Sequence, residues 1–438
     1  MTSNTTIVQP RGVDMSLQQP SQPVPAQPSG TTTAPGTLPP VMLYLPSIMQ
    51  SPKNSALRIA QLIAIKASKG PGTYAVEDLL SPSASAHLTD GQRIVKTGSG
   101  PVLDVYTVDY RPLLKLPQVS GSGIGATLRR LAFALSYFFR TLLLVLSARR
   151  RAKSRVAKLQ LVIGFGVVVV LLLSVVFTVL AVLAALGLWK EPPVSGNAAD
   201  AIALGATAFA TWLFFNVRPA VQEGATLIEQ LLDYAEDERH AAGVTGILDS
   251  ALDDLLEDNL DRKVHVFGYS LGALVAMDFL YPRKSLLQLL DERHAKAILT
   301  LVTVGCPVDF IRLYVPQYTD EREARAPDAH WTNIYIPADV LGSNLTDGDD
   351  FVESPDTGTG VSGYEAGPHR QEQIAIAGKR PLSQRYTSEQ LTLRNIWGRR
   401  GFLSHGGYWD EPEHENCLHL VMHEVMPVNT TIKSDSSR

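Results

Sequence analysis

The longest uncharged stretch is the strongest constraint on how this chain can fold. Residues 161–189 contain no charged side chain. A helix of that length would span about 43 Å, against a hydrocarbon core of about 30 Å. A soluble core helix is rarely this long and apolar on every side. The sequence therefore predicts a transmembrane helix over 161–189, with the excess length absorbed by tilt or by ends among the headgroups.

A second apolar stretch, residues 201–217, supplies a partner for this helix. Its Trp212 and neighbouring phenylalanines are typical of a membrane interface. The strand candidates on either side of the insertion are expected to join one sheet, so the number of crossings must be even. Pairing 161–189 with 201–217 keeps the basic loop 149–155 inside, as the positive-inside tendency favours. We therefore expect a two-helix membrane hairpin, with the rest of the chain on the cytoplasmic side.

A third apolar stretch, residues 131–147, carries Arg140 in its middle. A central arginine costs roughly 2.5 to 3.5 kcal/mol or more in lipid, so this stretch is a poor membrane span. Pairing it with 161–189 would also move the basic loop across the membrane. We interpret 131–147 as an interfacial helix with its basic flanks on anionic headgroups. An ordinary buried core helix is the alternative.

Strand and helix patterns lie on both sides of the insertion. Residues 41–45 form a short apolar run that Pro46 ends, residues 56–64 have helical spacing, and residues 102–109 are a second strand candidate. Strands that alternate with helices predict a mostly parallel sheet covered by helices on both faces.

These patterns divide the chain into regions. One α/β domain is expected from residues 41–115 and 222–425, interrupted by the membrane insertion 116–221. Residues 1–40 are rich in Pro, Ser and Thr and lack the apolar side chains of a core, which favours a disordered tail. Residues 426–438 are expected to be a flexible tail.

Composition excludes several classes of protein. The formal net charge of -4 gives no concentrated basic surface for nucleic acid. The two cysteines, Cys306 and Cys417, do not form a disulfide framework and favour a reducing compartment. The N-terminus lacks the basic and apolar regions of a secretory signal, so none is expected.

The residues that carry chemistry follow a β-branched strand candidate at 264–267. There Gly268-x-Ser270-x-Gly272 opens a helical stretch of small and aliphatic residues. Three fixed residues in five positions are weak evidence by themselves. A preceding strand and a following helix, however, are the context that a nucleophile elbow requires. In such an elbow the serine projects from a sharp turn, and the glycines leave room for strand and helix to cross. The N–H of Leu271 would lie at the helix N-terminus, where it can stabilise an oxyanion.

This arrangement resembles the α/β-hydrolase superfamily, in particular its lipase and esterase members. The resemblance implies an α/β-hydrolase fold with Ser270 as nucleophile, followed in chain order by an acid and a histidine. Asp339 follows the strand candidate 331–336, as the acid does in many lipase-like hydrolases. Asp309, one strand earlier, is the alternative. The acid would hold the imidazole in its reactive tautomer.

The same resemblance points to the base and to a second oxyanion donor. His405 lies in a loop with Gly406, Gly407, Tyr408 and Trp409, similar to the histidine loop of the family. His369 is the backup. In these enzymes the loop after an early strand usually supplies a second oxyanion N–H, often with a His-Gly pair. Here it has none, and the N–H of Ile48 is the candidate donor.

A metal site is not expected. His419 and His423 have i, i+4 spacing with Cys417 nearby, but a plain C-terminal helix explains them better. The acidic run that begins at Asp347 lacks the spaced ligands of a calcium loop. No cofactor is implied.

Together these features predict a membrane-anchored serine hydrolase that cleaves carboxylic esters, lipid esters among them, through an acyl-enzyme on Ser270. Its partners would be the ester substrate and membrane lipids. A thioesterase and a catalytically inactive hydrolase fold that serves as a membrane adaptor are the alternatives. The active-site mouth could face the bilayer or the cytosol.

Overall fold

The structure is a computed structural model. It describes residues 38–48, 50, 54–70, 72–79, 87–114, 146, 169, 230–257, 261–284, 292–336, 339, 341–347, 372–373, 375–386, 407–409 and 416–426. The predicted helices 131–147, 161–189 and 201–217 lie outside these residues, apart from Leu146 and Val169, and so do both predicted tails except at their inner ends. Among the described residues, no helix has both the length and the apolar character needed to cross a bilayer.

Eight strands form one mixed sheet. Their bounds are β1 Val41–Leu45, β2 Tyr74–Asp78, β3 Leu88–Lys96, β4 Gly100–Val108, β5 Val264–Tyr269, β6 Ile298–Val304, β7 His330–Tyr335 and β10 Leu382–Arg385. The order across the sheet is β10-β7-β6-β5-β1-β4-β3-β2, and the six strands from β10 to β4 are parallel. Strands β8 (Thr346–Asp347) and β9 (Glu372–Gln373) pair separately.

Helices cover both faces of the sheet. Their bounds are α1 Ser55–Ala67, α2 Glu238–Leu256, α3 Leu271–Leu280, α4 Glu292–Ala297, α5 Val308–Tyr314 and α6 Met422–Val425. Alternate residues of β1 point to opposite faces, as in any strand. Leu43 packs in the cluster that contains α2 and α3, whereas Tyr44 packs in the cluster that contains α1. The predicted class, a mostly parallel α/β sheet with helices on both faces, is confirmed at this level.

The local predictions succeed for the central strands and fail at one edge. The strands predicted at 41–45 and 102–109 and the helix predicted at 56–64 are confirmed. The antiparallel strands β2 and β3 were not predicted. Strand β2 is an exposed edge strand, and β3 has an irregular register around Gly91, so neither shows a regular apolar pattern.

Strands from both sides of residues 115–229 join in this sheet, because β1 pairs with β4 on one side and with β5 on the other. A buried carboxylate reinforces the junction. Asp104 on β4 accepts hydrogen bonds from Arg262, which precedes β5, and from Arg93 on β3, whose Nε lies 2.7 Å from Oδ1. Asp104 is 1% exposed, and its two arginine partners offset the cost of burying its charge.

The chain just before residues 115–229 contacts the helix α2 that follows them. Leu114 and Leu231 belong to the same apolar cluster. The Nε2 atom of His240, near the start of α2, lies 2.8 Å from the carbonyl oxygen of Leu113. The chain just before the segment therefore contacts the start of α2, ten residues after Gln230. The departure point follows β4, at the same carboxyl edge of the sheet where β5 ends at Tyr269.

Candidate active site

A sharp turn joins β5 to α3 at Ser270. Its backbone has φ 57° and ψ -122°, a conformation that residues other than glycine rarely adopt. The Ser270 N–H donates to the carbonyl oxygen of Val304 on the neighbouring strand (2.9 Å), which fixes the turn to the sheet. Such strain persists only where the surrounding structure holds it, and it is concentrated at functional sites.

The glycines of the motif are required by close backbone contacts. A Cβ atom on Gly272 would lie 2.1 Å from the carbonyl oxygen of Leu45 and 2.8 Å from that of Pro46. A Cβ on Gly268 would lie 2.5 Å from the Cα of Ala273. Strand β5, helix α3 and the end of β1 can therefore meet at the elbow only because neither position carries a side chain.

The Ser270 hydroxyl occupies a sheltered place above the end of the sheet. The residue is 0% exposed, and its Oγ has no hydrogen-bond partner among the residues that the structure describes. A buried hydroxyl without a partner costs free energy and calls for a functional explanation. The Ser270 carbonyl accepts from Ala273 N (3.0 Å) and Leu274 N (3.2 Å). The Leu271 N–H comes first in the helix and has no intrahelical partner.

The loop that carries Ile48 is pinned beside the elbow. Tyr110 donates its hydroxyl hydrogen to the Pro46 carbonyl (2.6 Å), and Arg111 Nη1 donates to the Gln50 carbonyl (2.8 Å). Ile48 packs partly buried against the core. Tyr110 and Arg111 directly precede the segment 115–229 and were not recognised from the sequence, since their partners are more than 60 residues away.

The predicted acid, Asp339, lies in the loop after β7 and is 2% exposed. Its Oδ1 accepts from the N–H of Leu341 (3.0 Å), and its Oδ2 accepts from the hydroxyl of Tyr408 (2.8 Å). A Cβ on Gly342 would lie 2.7 Å from both Asp339 Oδ2 and the Tyr408 oxygen. Gly342 therefore leaves the space in which the carboxylate and the phenol meet.

Tyr408 and Trp409 join the acid loop to the nucleophile strand. Tyr408 accepts a hydrogen bond from the N–H of Ile336 (3.0 Å), and its ring centroid lies 6.0 Å from that of Tyr269. The Trp409 ring lies edge-on to Tyr269 at 5.2 Å. Burial, and then the charge of Asp339, raise the pKa of Tyr408, so its hydroxyl stays protonated and remains a donor. A buried tyrosine hydroxyl usually has a partner, which is the only sequence signal for this contact.

The two histidines proposed as the base, His405 and His369, lie outside the described residues. The alternative acid, Asp309, lies in the first turn of α5. Its Oδ2 accepts from the N–H of Leu345 (3.3 Å), and its Oδ1 lies 3.8 Å from Nη1 of Arg312. Its described contacts are therefore with the loop at Leu345 and with its own helix.

The C-terminal segment differs from the continuous helix that was expected there. Residues Cys417–Leu420 form a 3-10 turn, and α6 follows separately. Cys417 is buried in the apolar cluster, and His419 Nδ1 lies 2.7 Å from the Asn416 carbonyl oxygen. The i, i+4 spacing of His419 and His423 therefore does not fall on one regular helix.

A cavity of about 230 Å³ lies at the far end of α3. It adjoins Asp278, eight residues and so about 12 Å along the helix from Ser270. Three arginines line it, each paired with one carboxylate: Arg283 with Glu238, Arg322 with Asp278 and Arg325 with Asp249. The formal charges of these lining residues cancel.

Comparison with known proteins found no matching family model, no matching curated protein and no matching solved structure.

Proposed function

We propose that the chain is a serine hydrolase with an α/β-hydrolase fold that cleaves carboxylic esters through an acyl-enzyme on Ser270. One observation carries the proposal. Ser270 has a strained positive φ between two glycines whose positions admit no side chain, at the end of a central parallel strand and the start of a buried helix. That combination is the nucleophile elbow of these enzymes.

The other proposed members of the triad follow Ser270 in the order that the family requires. Asp339 comes after β7, two strands along the sheet from β5. His405 is three residues from Tyr408, and three residues span at most about 11 Å. Because Tyr408 bonds directly to Asp339, the chain tethers His405 to the neighbourhood of the acid. This tether favours His405 over His369 as the base, and Asp339 over Asp309 as the acid.

The reaction would then proceed in two steps. His405 takes the proton of Ser270 as the oxygen attacks the ester carbonyl carbon, and it returns that proton to the alcohol when the carbon–oxygen bond breaks. Water, deprotonated by the same imidazole, then attacks the acyl-enzyme and releases the acid. Asp339 orients the imidazole and stabilises its protonated form.

The N–H groups of Leu271 and Ile48 are the proposed donors to the oxyanion. Leu271 follows the nucleophile at the start of α3, which is the position of the first donor in this fold. Ile48 lies in the loop after β1, and the backbone at the start of that loop packs directly on Gly272. The hydrogen bonds from Tyr110 and Arg111 hold the loop there and replace the role that a His-Gly pair has in related enzymes.

We propose further that residues 161–189 and 201–217 anchor the domain as a membrane hairpin with the catalytic residues on the cytoplasmic side. The chain departs for this segment at Leu114, beside the loop of Ile48. This position favours lipid esters as substrates, since the chain leaves the domain for the proposed anchor at the active-site edge of the sheet. Thioesters are the alternative substrates, since the same acyl-enzyme mechanism cleaves them.

Covalent labelling of the full chain with a fluorophosphonate probe tests the proposal. Wild type should be labelled, and Ser270→Ala should lose labelling completely because the probe forms its bond with the nucleophile. Ser250→Ala, at an exposed serine on α2, is the matched control and should be labelled like wild type. An unlabelled wild type would favour the inactive membrane adaptor, and labelled Ser270→Ala would identify another nucleophile.

A further inference from the structure

The phenol of Tyr408 holds one oxygen of the proposed catalytic acid. The Tyr408 hydroxyl lies 2.8 Å from Asp339 Oδ2, and both residues are almost completely buried. We infer that Tyr408 is a positioning residue of the triad, which sets the orientation of the Asp339 carboxylate and weakens the hold of that carboxylate on the imidazole proton. The inference depends on the proposed function, since it assigns a role within that site.

The geometry fixes the direction of this hydrogen bond. The Tyr408 oxygen accepts the N–H of Ile336 at 3.0 Å, so its single hydrogen is available for Asp339. The Leu341 N–H donates to the other carboxylate oxygen at 3.0 Å. Two donors on opposite oxygens define the plane of the carboxylate. A carboxylate has about four acceptor positions, so these bonds are compatible with a third from an imidazole.

The surroundings of Tyr408 keep this arrangement rigid. Its ring packs against Tyr269, the residue before the nucleophile, and any side chain at position 342 would collide with its oxygen. The same residue therefore contacts the acid and the strand of the nucleophile, and it lies three residues after His405 in the sequence. Changes at Tyr408 should reach the reaction through Asp339 rather than through substrate contacts.

The electrostatic consequence has a definite sign. A hydrogen bond donated to the carboxylate offsets part of its negative charge, which is what stabilises the protonated imidazole. Removing the phenol hydroxyl should strengthen the attraction between Asp339 and that proton. The pKa of the catalytic histidine in Tyr408→Phe should therefore rise, and the reaction should need a higher pH to reach its full rate.

The fluorophosphonate probe measures this effect without a known substrate. The second-order rate constant of labelling, followed against pH, rises as the free enzyme's base loses its proton. Tyr408→Phe should label about 10- to 100-fold more slowly at pH 7, since the carboxylate is less well oriented. Its midpoint should move to higher pH by about half a unit. Tyr281→Phe, at a buried tyrosine whose hydroxyl has no partner among the described residues, should match wild type.

The pH midpoint is independent of how much protein folds, so a less stable variant still gives an answer. A second variant pair makes the test specific. In an Asp339→Asn background, Tyr408→Phe should leave the midpoint unchanged, because the charge through which it acts is gone. A slower Tyr408→Phe with the wild-type midpoint, or the same shift in the Asp339→Asn background, would overturn the inference. Loss of Ser270-dependent labelling in wild type would instead refute the proposed function.

Discussion

Replacing Gly272 by alanine tests whether the elbow is as crowded as its geometry indicates. The new Cβ would lie 2.1 Å from the Leu45 carbonyl oxygen, where an ordinary contact needs at least 3.4 Å. Helix α3 and strand β1 would have to separate by more than 1 Å, and both are fully buried at this point. Overpacking of a close-packed interior typically costs about 1 to 3 kcal/mol, and a backbone collision at such a distance belongs at or above the upper end.

A glycine elsewhere in the same domain provides the matched control. Gly246 lies inside α2, and a Cβ there would meet nothing within 4 Å. Alanine in a helix interior is favoured over glycine by about 0.5 to 1 kcal/mol, so Gly246→Ala should stabilise the protein. The two identical chemical changes should therefore move the free energy of unfolding in opposite directions.

Thermal unfolding of the full chain in detergent, followed by tryptophan fluorescence, measures both variants. For a domain of this size, 1 kcal/mol corresponds to about 2 to 4 °C in Tm. Gly272→Ala should lower Tm by about 6 to 12 °C, and Gly246→Ala should raise it by about 1 to 4 °C. Gly272→Ala should also lose labelling at Ser270. A Gly272→Ala protein that melts within about 2 °C of wild type and keeps its reactivity would refute the packing argument.

Two further predictions concern other parts of the domain. Tyr110→Phe removes the donor to the Pro46 carbonyl and should slow fluorophosphonate labelling about 10-fold, a loss near 1.4 kcal/mol, without moving the pH midpoint. An unchanged labelling rate would show that this hydrogen bond does not hold the loop of Ile48 in its reactive position. Burial lowers the pKa of His265 from 6.5 to about 4, so the folded state loses stability as pH falls from about 6.5 toward 4, by about 2 kcal/mol at pH 5. Between pH 7 and pH 5, the free energy of unfolding of His265→Gln should therefore fall by about 2 kcal/mol less than that of wild type. His330→Gln, at an exposed histidine, is the control and should follow wild type. If the free energies of unfolding of His265→Gln and wild type changed in parallel with pH, the prediction would be wrong.

The elbow at Ser270 could be predicted from the sequence because all the residues that determine it are close together in the chain. Gly268, Ser270 and Gly272 lie within five residues, and the strand and helix around them are mostly apolar. Parallel central strands, buried on both faces, give such apolar runs and are the easiest to identify. The same logic located β4 and the loop of Asp339.

Contacts between distant residues leave no comparable pattern. The Tyr408–Asp339 bond joins residues 69 positions apart, and the Tyr110–Pro46 bond joins residues 64 apart. Neither requires a periodic arrangement of side chains, so neither could be predicted. The edge strand β2 was missed for a different reason, since an exposed strand needs no apolar face. Strand β3 was missed because its register is irregular around Gly91.

Leu113 and His240, on the two sides of residues 115–229, are in direct contact. Because these flanking residues meet, the positions of the strands in the sheet do not depend on the length of the chain between them. The entropy cost of closing a loop grows only slowly with its length, so replacing residues 115–229 by a short linker should change the free energy of unfolding little.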